Sequence, residues 1–201
     1  MLKKLLLSFV LIVGALLSIA LIRTLMHSAP EPTVNVGLTA DIDGEAATNN
    51  LAASIRFKTI SHQDKEKFSP QEFEGFIKWA ADTYPEFHSA MQLEMLEYTL
   101  LFKWEGSDNS LAPILLTAHY DVVPVIPGTE SIWEEEPFAG VISNNRIWGR
   151  GALDDKSGVV GMMEAATYLI KNNFQPARTV YFSFGHDEEI GGGGAAQVTE
   201  K

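Results

Sequence analysis

Three short acidic clusters contain the residues whose types and spacing could do chemistry. They are His119-Tyr120-Asp121, Asp154-Asp155-Lys156 and His186-Asp187-Glu188-Glu189. Histidine nitrogen and carboxylate oxygen, without cysteine sulfur, form the donor set of a hard or borderline metal ion, and zinc accepts both donors. The sequence has no cysteine, so these clusters offer the donors of a metal centre.

Each cluster offers a separate role around a pair of metal ions. Two catalytic metal ions about 3.5–4 Å apart need a carboxylate that bridges them, and Asp154 is the candidate bridge. His119 would then bind one metal ion and Glu189 the other. Glu188 is the candidate general base, because a carboxylate at this place can take a proton from water. Asp121 could accept a hydrogen bond from the imidazole nitrogen that is not on the metal.

Two apolar segments must position the first and third clusters. Residues 114–118 and 179–184 have the composition of buried strands, and each segment ends where a cluster begins. In open α/β sheets, sites form at the carboxyl ends of the strands. We therefore expect the first and third clusters to meet in one crevice.

A helix must position the second cluster. Apolar residues recur at helical spacing over residues 156–171, which predicts an amphipathic helix. Asp154 and Asp155 lie at its start, where N-capping alone would explain an acidic pair. Gly149 and Gly151 favour a metal role instead, because glycine lets the backbone turn tightly against a buried group and a simple cap needs no such turn. Both interpretations of Asp154 stay open on these residues alone.

Four ordered motifs resemble the aminoacylase and carboxypeptidase S family of zinc metallopeptidases, nearest to its N-acyl-amino-acid amidohydrolase and carboxypeptidase S branch. The motifs are His119-Tyr-Asp-Val-Val-Pro124, Pro137-Phe138-Ala-Gly140, Gly149-Arg-Gly-Ala-Leu-Asp-Asp-Lys156 and Gly185-His-Asp-Glu-Glu189. The resemblance implies an α/β fold, with a three-layer, mostly parallel sheet and helices on both faces. It also implies two Zn²⁺ ions, with Co²⁺ or Mn²⁺ as alternatives. By this resemblance His119, Asp154 and Glu189 bind the metal ions, Asp121 supports the histidine and Glu188 is the base.

The predicted ligands are too few for a complete site. With Asp154 shared, each metal ion receives one further ligand, whereas catalytic zinc usually has three protein ligands. The resemblance implies that another acidic residue, a distant histidine and a smaller lid or dimerisation domain follow Lys201. We therefore expect residues 46–201 to be the N-terminal part of a di-zinc catalytic domain that is inactive alone. The further domain could form a homodimer.

An apolar segment precedes this domain. The uncharged run from Leu5 to Ile22 would span about 27 Å as a helix, close to the roughly 30 Å hydrocarbon core of a bilayer. We interpret residues 1–25 as a single-pass membrane anchor and residues 26–45 as a linker. A cleaved signal peptide is the alternative, because Ser18-Ile19-Ala20 has small residues at suitable spacing. The lysine pair before the run favours an extracytoplasmic catalytic domain, which would be secreted or periplasmic if the signal is cleaved.

The remaining local patterns predict further elements of the domain. Helices are expected over residues 46–57 and 73–84, a strand over residues 98–104, a hairpin at Asn144-Asn145 and a final helix after residues 191–194. His186 is the first residue of the third cluster, but the resemblance gives it no ligand role.

These observations predict a metal-dependent hydrolase of amide bonds, either a carboxypeptidase or an N-acyl-amino-acid amidohydrolase. Its substrate would be a short peptide or an N-acyl amino acid. The alternative is a membrane-tethered metal-binding or peptide-binding module without turnover, and Glu188 distinguishes the two, because binding needs ligands but no base. The formal net charge of -11 argues against a nucleic-acid partner.

Overall fold

The structure, a computed structural model, describes residues 2–27 and 40–201. Two compact units divide after Ala40, the first Met1–Ala40 and the second Asp41–Lys201. Most of the predicted linker, residues 28–39, lies outside the described residues. The assignment of an anchor, a linker and a catalytic domain therefore stays a prediction.

The first unit contains helix α1 (Leu2–Leu25). Its residues Lys3–Leu25 form the one helix among the described residues that is long and apolar enough to cross a membrane by length and composition. A signal sequence near an N-terminus satisfies the same test. The predicted apolar helix is therefore confirmed, and its role as an anchor stays a prediction.

The second unit is built on a four-stranded sheet with strand order β1-β2-β6-β3. Its strands are β1 (Gln92–Leu96), β2 (Thr99–Trp104), β3 (Ile114–His119) and β6 (Val180–Gly185). Strands β3 and β6 are parallel, whereas β1–β2 and β2–β6 are antiparallel. The predicted α/β class is confirmed, but among the described residues the sheet is mixed rather than mostly parallel. The β1–β2 pair is antiparallel because only two residues join its strands, and so short a connection allows no parallel pairing.

Five helices and a small hairpin surround this sheet in the second unit. They are α2 (Gly44–Ile55), α3 (Pro70–Thr83), α4 (Pro85–Ala90), α5 (Lys156–Lys171), α6 (Gly193–Val198) and the hairpin of β4 (Val141–Ser143) with β5 (Arg146–Trp148). Asn144 and Asn145 have φ values of 51° and 57°, as the predicted tight hairpin requires. Strand β1 and helix α4 were not predicted. Pro85 does end α3, but it also occupies the first turn of α4, where its missing N–H is tolerated.

Helices cover both faces of the sheet. Helices α3, α4 and α5 contribute to the main core on one face through a cluster of large side chains, which includes Phe73, Phe76, Phe87, Met163, Phe102, Phe182 and Phe184. On the other face, Leu101, Leu115 and Tyr181 line a cavity together with Val198 of α6. The predicted arrangement of helices is confirmed.

Tyr120 fixes the first acidic cluster to this core. It is fully buried, its ring stacks on Phe76 with centroids 4.5 Å apart, and its hydroxyl donates a 2.5 Å hydrogen bond to the carbonyl of Tyr98. Side chains alternate between faces in an extended segment. His119 and Asp121 therefore point away from the side that Tyr120 occupies.

Candidate metal centre

The parallel pairing of β3 with β6 brings the first and third clusters together. His119 lies opposite Gly185 in the strand register, and the backbone N–H of Tyr120 donates to the carbonyl of Gly185 at 2.9 Å. After β6 the chain makes one turn of 3₁₀ helix at Glu188–Ile190. The expected crevice at the strand ends is thus present.

Three predicted ligands converge in this crevice. His119, Asp154 and Glu189 each offer one ligand atom, and these atoms all lie within 4.8 Å of one another. The Nε2 atom of His119 lies 3.0 Å from Oδ1 of Asp154 and 3.8 Å from Oε2 of Glu188. The structure therefore brings four of the five predicted site residues together, with Asp154 and Glu188 beside Nε2 of His119, and their roles at a metal stay predictions.

Asp121, the fifth predicted residue, lies behind the imidazole and links the two strand ends. Its carboxylate is fully buried, and its Oδ1 lies 3.3 Å from Nδ1 of His119. The backbone N–H groups of Glu188 and Glu189 donate to its two oxygens at 3.1 and 3.2 Å. The hydroxyl of Ser61 donates a third hydrogen bond to the carboxylate, at 2.6 Å, while Nδ1 of His119 also lies 3.2 Å from the backbone carbonyl of Asp121. One carboxylate therefore holds both the histidine and the turn that carries the two glutamates.

The two aspartates before α5 match different interpretations: Asp155 caps the helix, and Asp154 lies in the crevice. Asp155 is the N-cap of the helix and accepts a 3.2 Å hydrogen bond from the backbone N–H of Gly158. Asp154 instead points toward His119, with its side chain 77% exposed. Gly151 has a φ of +85°, and a Cβ there would lie 2.8 Å from Cγ1 of Val122. Because glycine has no Cβ, the backbone at Gly151 can pass close to Val122, and the chain then places Asp154 in the crevice.

A buried lysine fixes the start of α5. Lys156 is fully buried, and its ammonium group donates hydrogen bonds to the carbonyls of Ser54 at 2.9 Å and Phe57 at 2.6 Å. Burial lowers the pKa of Lys156 to about 7, against the opposing charges of Glu72 and Asp121. Since these carbonyls lie at the end of α2, the lysine joins α2 to the residue pair that reaches the crevice.

The electrostatics of the crevice favour a bound cation. Burial lowers the pKa of His119, but the hydrogen bond and charge of Asp121 outweigh it, with help from Asp154, and raise the pKa to about 9. Burial, together with the negative charge of Asp154, raises the pKa of Glu189. Burial raises the pKa of Asp121, but its hydrogen bonds, first that with His119, lower the pKa overall. Imidazole nitrogen and several carboxylates around one space are donors that fit Zn²⁺.

His186 lies outside this crevice. Its Nδ1 atom is 2.7 Å from the hydroxyl oxygen of Thr99, and its ring packs edge-on against Phe73. The neighbouring Asp187 accepts the backbone N–H of Gly194 at 3.0 Å and so braces the glycine turn that follows β6. That His186 has no ligand role stays a prediction.

Ser61 was missed by sequence reasoning. The sequence 59–61, Thr-Ile-Ser, follows the helix predicted over residues 46–57, and the pattern gives it no role beyond ending that helix. One weak signal was available, because the apolar residue between two hydroxyl residues is the alternation of a short extended segment.

Comparison with known proteins places these features in a family. The sequence model described as peptidase family M20/M25/M40 matches residues 115–201. The chain is 36% identical over 195 residues to a probable carboxypeptidase S-like 2 of Dictyostelium discoideum, a match that covers 92% of this chain and 37% of that protein. It is 39% identical over 155 residues to the N-fatty-acyl-amino acid synthase/hydrolase PM20D1 of Xenopus tropicalis, covering 75% of this chain and 30% of that protein. The chain thus spans about a third of the length of these relatives.

Solved structures support the fold. Human carnosine dipeptidase 1 has a TM-score of 0.64 at 20% identity, with 78% of this chain and 35% of that chain covered. An M20 family metallo-carboxypeptidase of Sulfolobus solfataricus has a TM-score of 0.58 at 24% identity, with 72% and 31% covered. The resemblance expected from the four motifs is confirmed, because the sequence model of peptidase family M20/M25/M40 matches residues 115–201 of this chain.

Proposed function

We propose that the full-length protein is a metal-dependent hydrolase of amide bonds, acting as a carboxypeptidase or as an N-acyl-amino-acid amidohydrolase. The observation that carries the proposal is the convergence of His119, Asp154 and Glu189, whose ligand atoms lie within 4.8 Å of one another. The match to the family model and the names of the relatives support the reaction class.

The donor set fits two Zn²⁺ ions, with Co²⁺ or Mn²⁺ as alternatives. His119 would hold one metal ion, Glu189 the other, and Asp154 would contribute to both. When bound, such ions polarise the scissile carbonyl and make water more acidic. Asp121 keeps the imidazole oriented, because its backbone carbonyl and its Oδ1 lie 3.2 and 3.3 Å from Nδ1 and leave Nε2 facing Asp154.

Glu188 is positioned to move the proton. Its side chain is 60% exposed, with Oε2 3.8 Å from Nε2 of His119, so the carboxylate can reach water in the crevice. Its backbone N–H is held by Asp121 at 3.1 Å, which fixes the start of the side chain. Glu188 would take the proton from the attacking water and pass it to the leaving amine.

The names of the relatives suggest the substrates to test, and helix α1 suggests the location. One relative is named a probable carboxypeptidase and another a hydrolase of N-fatty-acyl amino acids, so short peptides and N-acyl amino acids are the substrates to test. Helix α1 would attach the protein to a membrane with its catalytic domain extracytoplasmic. A homodimer through a further domain belongs to the same proposal.

A metal-exchange experiment tests the function. The full-length protein is purified, its metal content is measured, and hydrolysis of a dipeptide and of an N-acyl amino acid is followed before and after treatment with a chelator. We expect about two zinc ions per chain, loss of hydrolysis on chelation and recovery on adding Zn²⁺. Metal binding without turnover of either substrate would favour the membrane-tethered binding module instead.

A further inference from the structure

A buried serine outside the three acidic clusters holds the carboxylate that links them. Ser61 is 4% exposed, and its hydroxyl donates a 2.6 Å hydrogen bond to Oδ2 of Asp121. We propose that Ser61 is a positioning residue of the metal centre, which fixes Asp121 and, through it, both His119 and the turn at Glu188–Ile190. The proposal rests on the proposed function, because it assigns Ser61 a part in the same metal site.

Backbone pairing aims the Ser61 hydroxyl. Ile60 pairs with Val122 in an isolated parallel bridge. The N–H of Val122 donates to the carbonyl of Thr59 at 3.0 Å, and the N–H of Ser61 donates to the carbonyl of Val122 at 3.3 Å. These bonds align residues 59–61 beside the segment that contains Asp121. The position of the serine is therefore set by the backbone rather than by a free side-chain choice.

Each group that donates to the Asp121 carboxylate helps to fix its orientation. A carboxylate has about four lone-pair sites, and the structure surrounds this one with three hydrogen-bond donors and the imidazole of His119. His119 and the N–H of Glu188 face Oδ1, whereas the N–H of Glu189 and the hydroxyl of Ser61 donate to Oδ2. Hydrogen bonds to a charged group are the strong ones, and a buried charge that loses a partner is destabilised. Without Ser61, Oδ2 keeps a single donor and the carboxylate can turn away from the imidazole.

Thr59 provides a matched control in the same segment. Its hydroxyl is also fully buried and donates a 2.5 Å hydrogen bond, but the acceptor is the backbone carbonyl of Tyr120. Removal of the Thr59 hydroxyl therefore tests the loss of a buried hydrogen bond that does not end on Asp121.

The experiment compares Ser61→Ala, Ser61→Thr and Thr59→Val in the full-length protein. The native metal is replaced by Co²⁺, and the affinity for Co²⁺, its visible absorption spectrum and the thermal unfolding of each variant are measured. Loss of a hydrogen-bond partner behind a metal ligand typically weakens metal binding about 10–100-fold. Ser61 acts one residue further away, so we expect Ser61→Ala to bind Co²⁺ about tenfold more weakly, with an altered spectrum. Ser61→Thr keeps the hydroxyl and should restore both properties, while Thr59→Val should lower only the unfolding temperature.

The results distinguish a failure of the Ser61 inference from a failure of the proposed function. If wild-type protein binds Co²⁺ and Ser61→Ala shows the same affinity and spectrum, Ser61 has no positioning role. An equal weakening in Ser61→Ala and Thr59→Val would also overturn the inference, because packing of the segment would then be responsible. If wild-type protein itself binds no Co²⁺, the proposed function fails first. If Ser61→Ala does not fold, Ser61→Val compared with Ser61→Thr makes the same test, since the two side chains have nearly the same shape and only threonine has the hydroxyl.

Discussion

The carboxylate of Asp154 lies 3.0 Å from Nε2 of His119, although the two residues are 35 positions apart in the chain. The neighbouring carboxylate of Asp155 remains with its own helix, where it accepts from the N–H of Gly158. Two adjacent aspartates therefore have separate tasks, one in the crevice and one at the helix start. Substitution of Asp155 can therefore serve as the control for substitution of Asp154.

We expect Asp154→Ala in the full-length protein to lower the metal content at both sites, because Asp154 is the proposed shared ligand. Asp155→Ala should keep the metal and lose about 1 kcal/mol of stability, as expected for an N-cap. Elemental analysis and denaturant unfolding of the two purified variants make the comparison. Two metal ions per chain in Asp154→Ala would show that this residue is not a bridge.

Substitution of the two adjacent glutamates should distinguish the general base from the metal ligand. Glu188→Gln should keep its metal and its substrate affinity but lose at least about 10²–10⁴ of kcat, because an amide of nearly the same shape cannot accept the proton. Glu189→Gln should instead lose metal affinity, since a neutral amide oxygen is a poorer zinc ligand than a carboxylate. The measurements are kcat on an N-acyl amino acid and metal content.

Glu66→Gln serves as the control for this pair, because Glu66 is an exposed glutamate of the same domain, and it should change neither property. Near-normal turnover in Glu188→Gln would remove this residue from the mechanism. It would favour either the binding module or an exchange of roles between the two glutamates.

Local patterns were sufficient for the elements that carry the predicted site. Helix α5 occupies residues 156–171 as predicted, because its apolar stripe is long and regular. Strands β3 and β6 end where expected, and their parallel pairing places His119 opposite Gly185. A residue that follows a strong apolar strand is therefore predictable from the sequence as a candidate site residue.

Long-range contacts of single polar residues were not predictable. Ser61 reaches Asp121 across 60 positions, and a lone serine in a short segment has no periodicity that reports such a contact. The division of Asp154 from Asp155 was also open, because either carboxylate could have capped the helix. Strand β1 was missed because it is largely exposed, so its apolar residues do not form a buried run.

Helix α1 should hold the full-length protein in membranes through apolar burial. We therefore expect the protein to sediment with membranes and to stay there in high salt, since salt screens charge pairing but not the burial of a spanning helix. A variant that lacks residues 1–25 should be found in the soluble fraction. Release of a soluble mature form that begins near Leu21 would instead identify α1 as a cleaved signal peptide.

Lys156 should make stability depend on pH. Burial lowers its pKa from 10.5 to about 7 in the folded protein, so between these values the unfolded chain binds more protons than the folded one. The free energy of unfolding of the metal-free protein should therefore rise with pH across this window, with a limiting slope of about 1.4 kcal/mol per pH unit from this residue.

Lys156→Met lacks the titrating group but keeps a flexible apolar chain of similar length. The measurement is denaturant unfolding of wild type and Lys156→Met at several pH values from 7 to 10, in the presence of a chelator. Wild type should gain stability relative to the variant as the pH rises. A difference that stays constant would mean that the ammonium group remains charged in the fold, held by its hydrogen bonds to the carbonyls of Ser54 and Phe57.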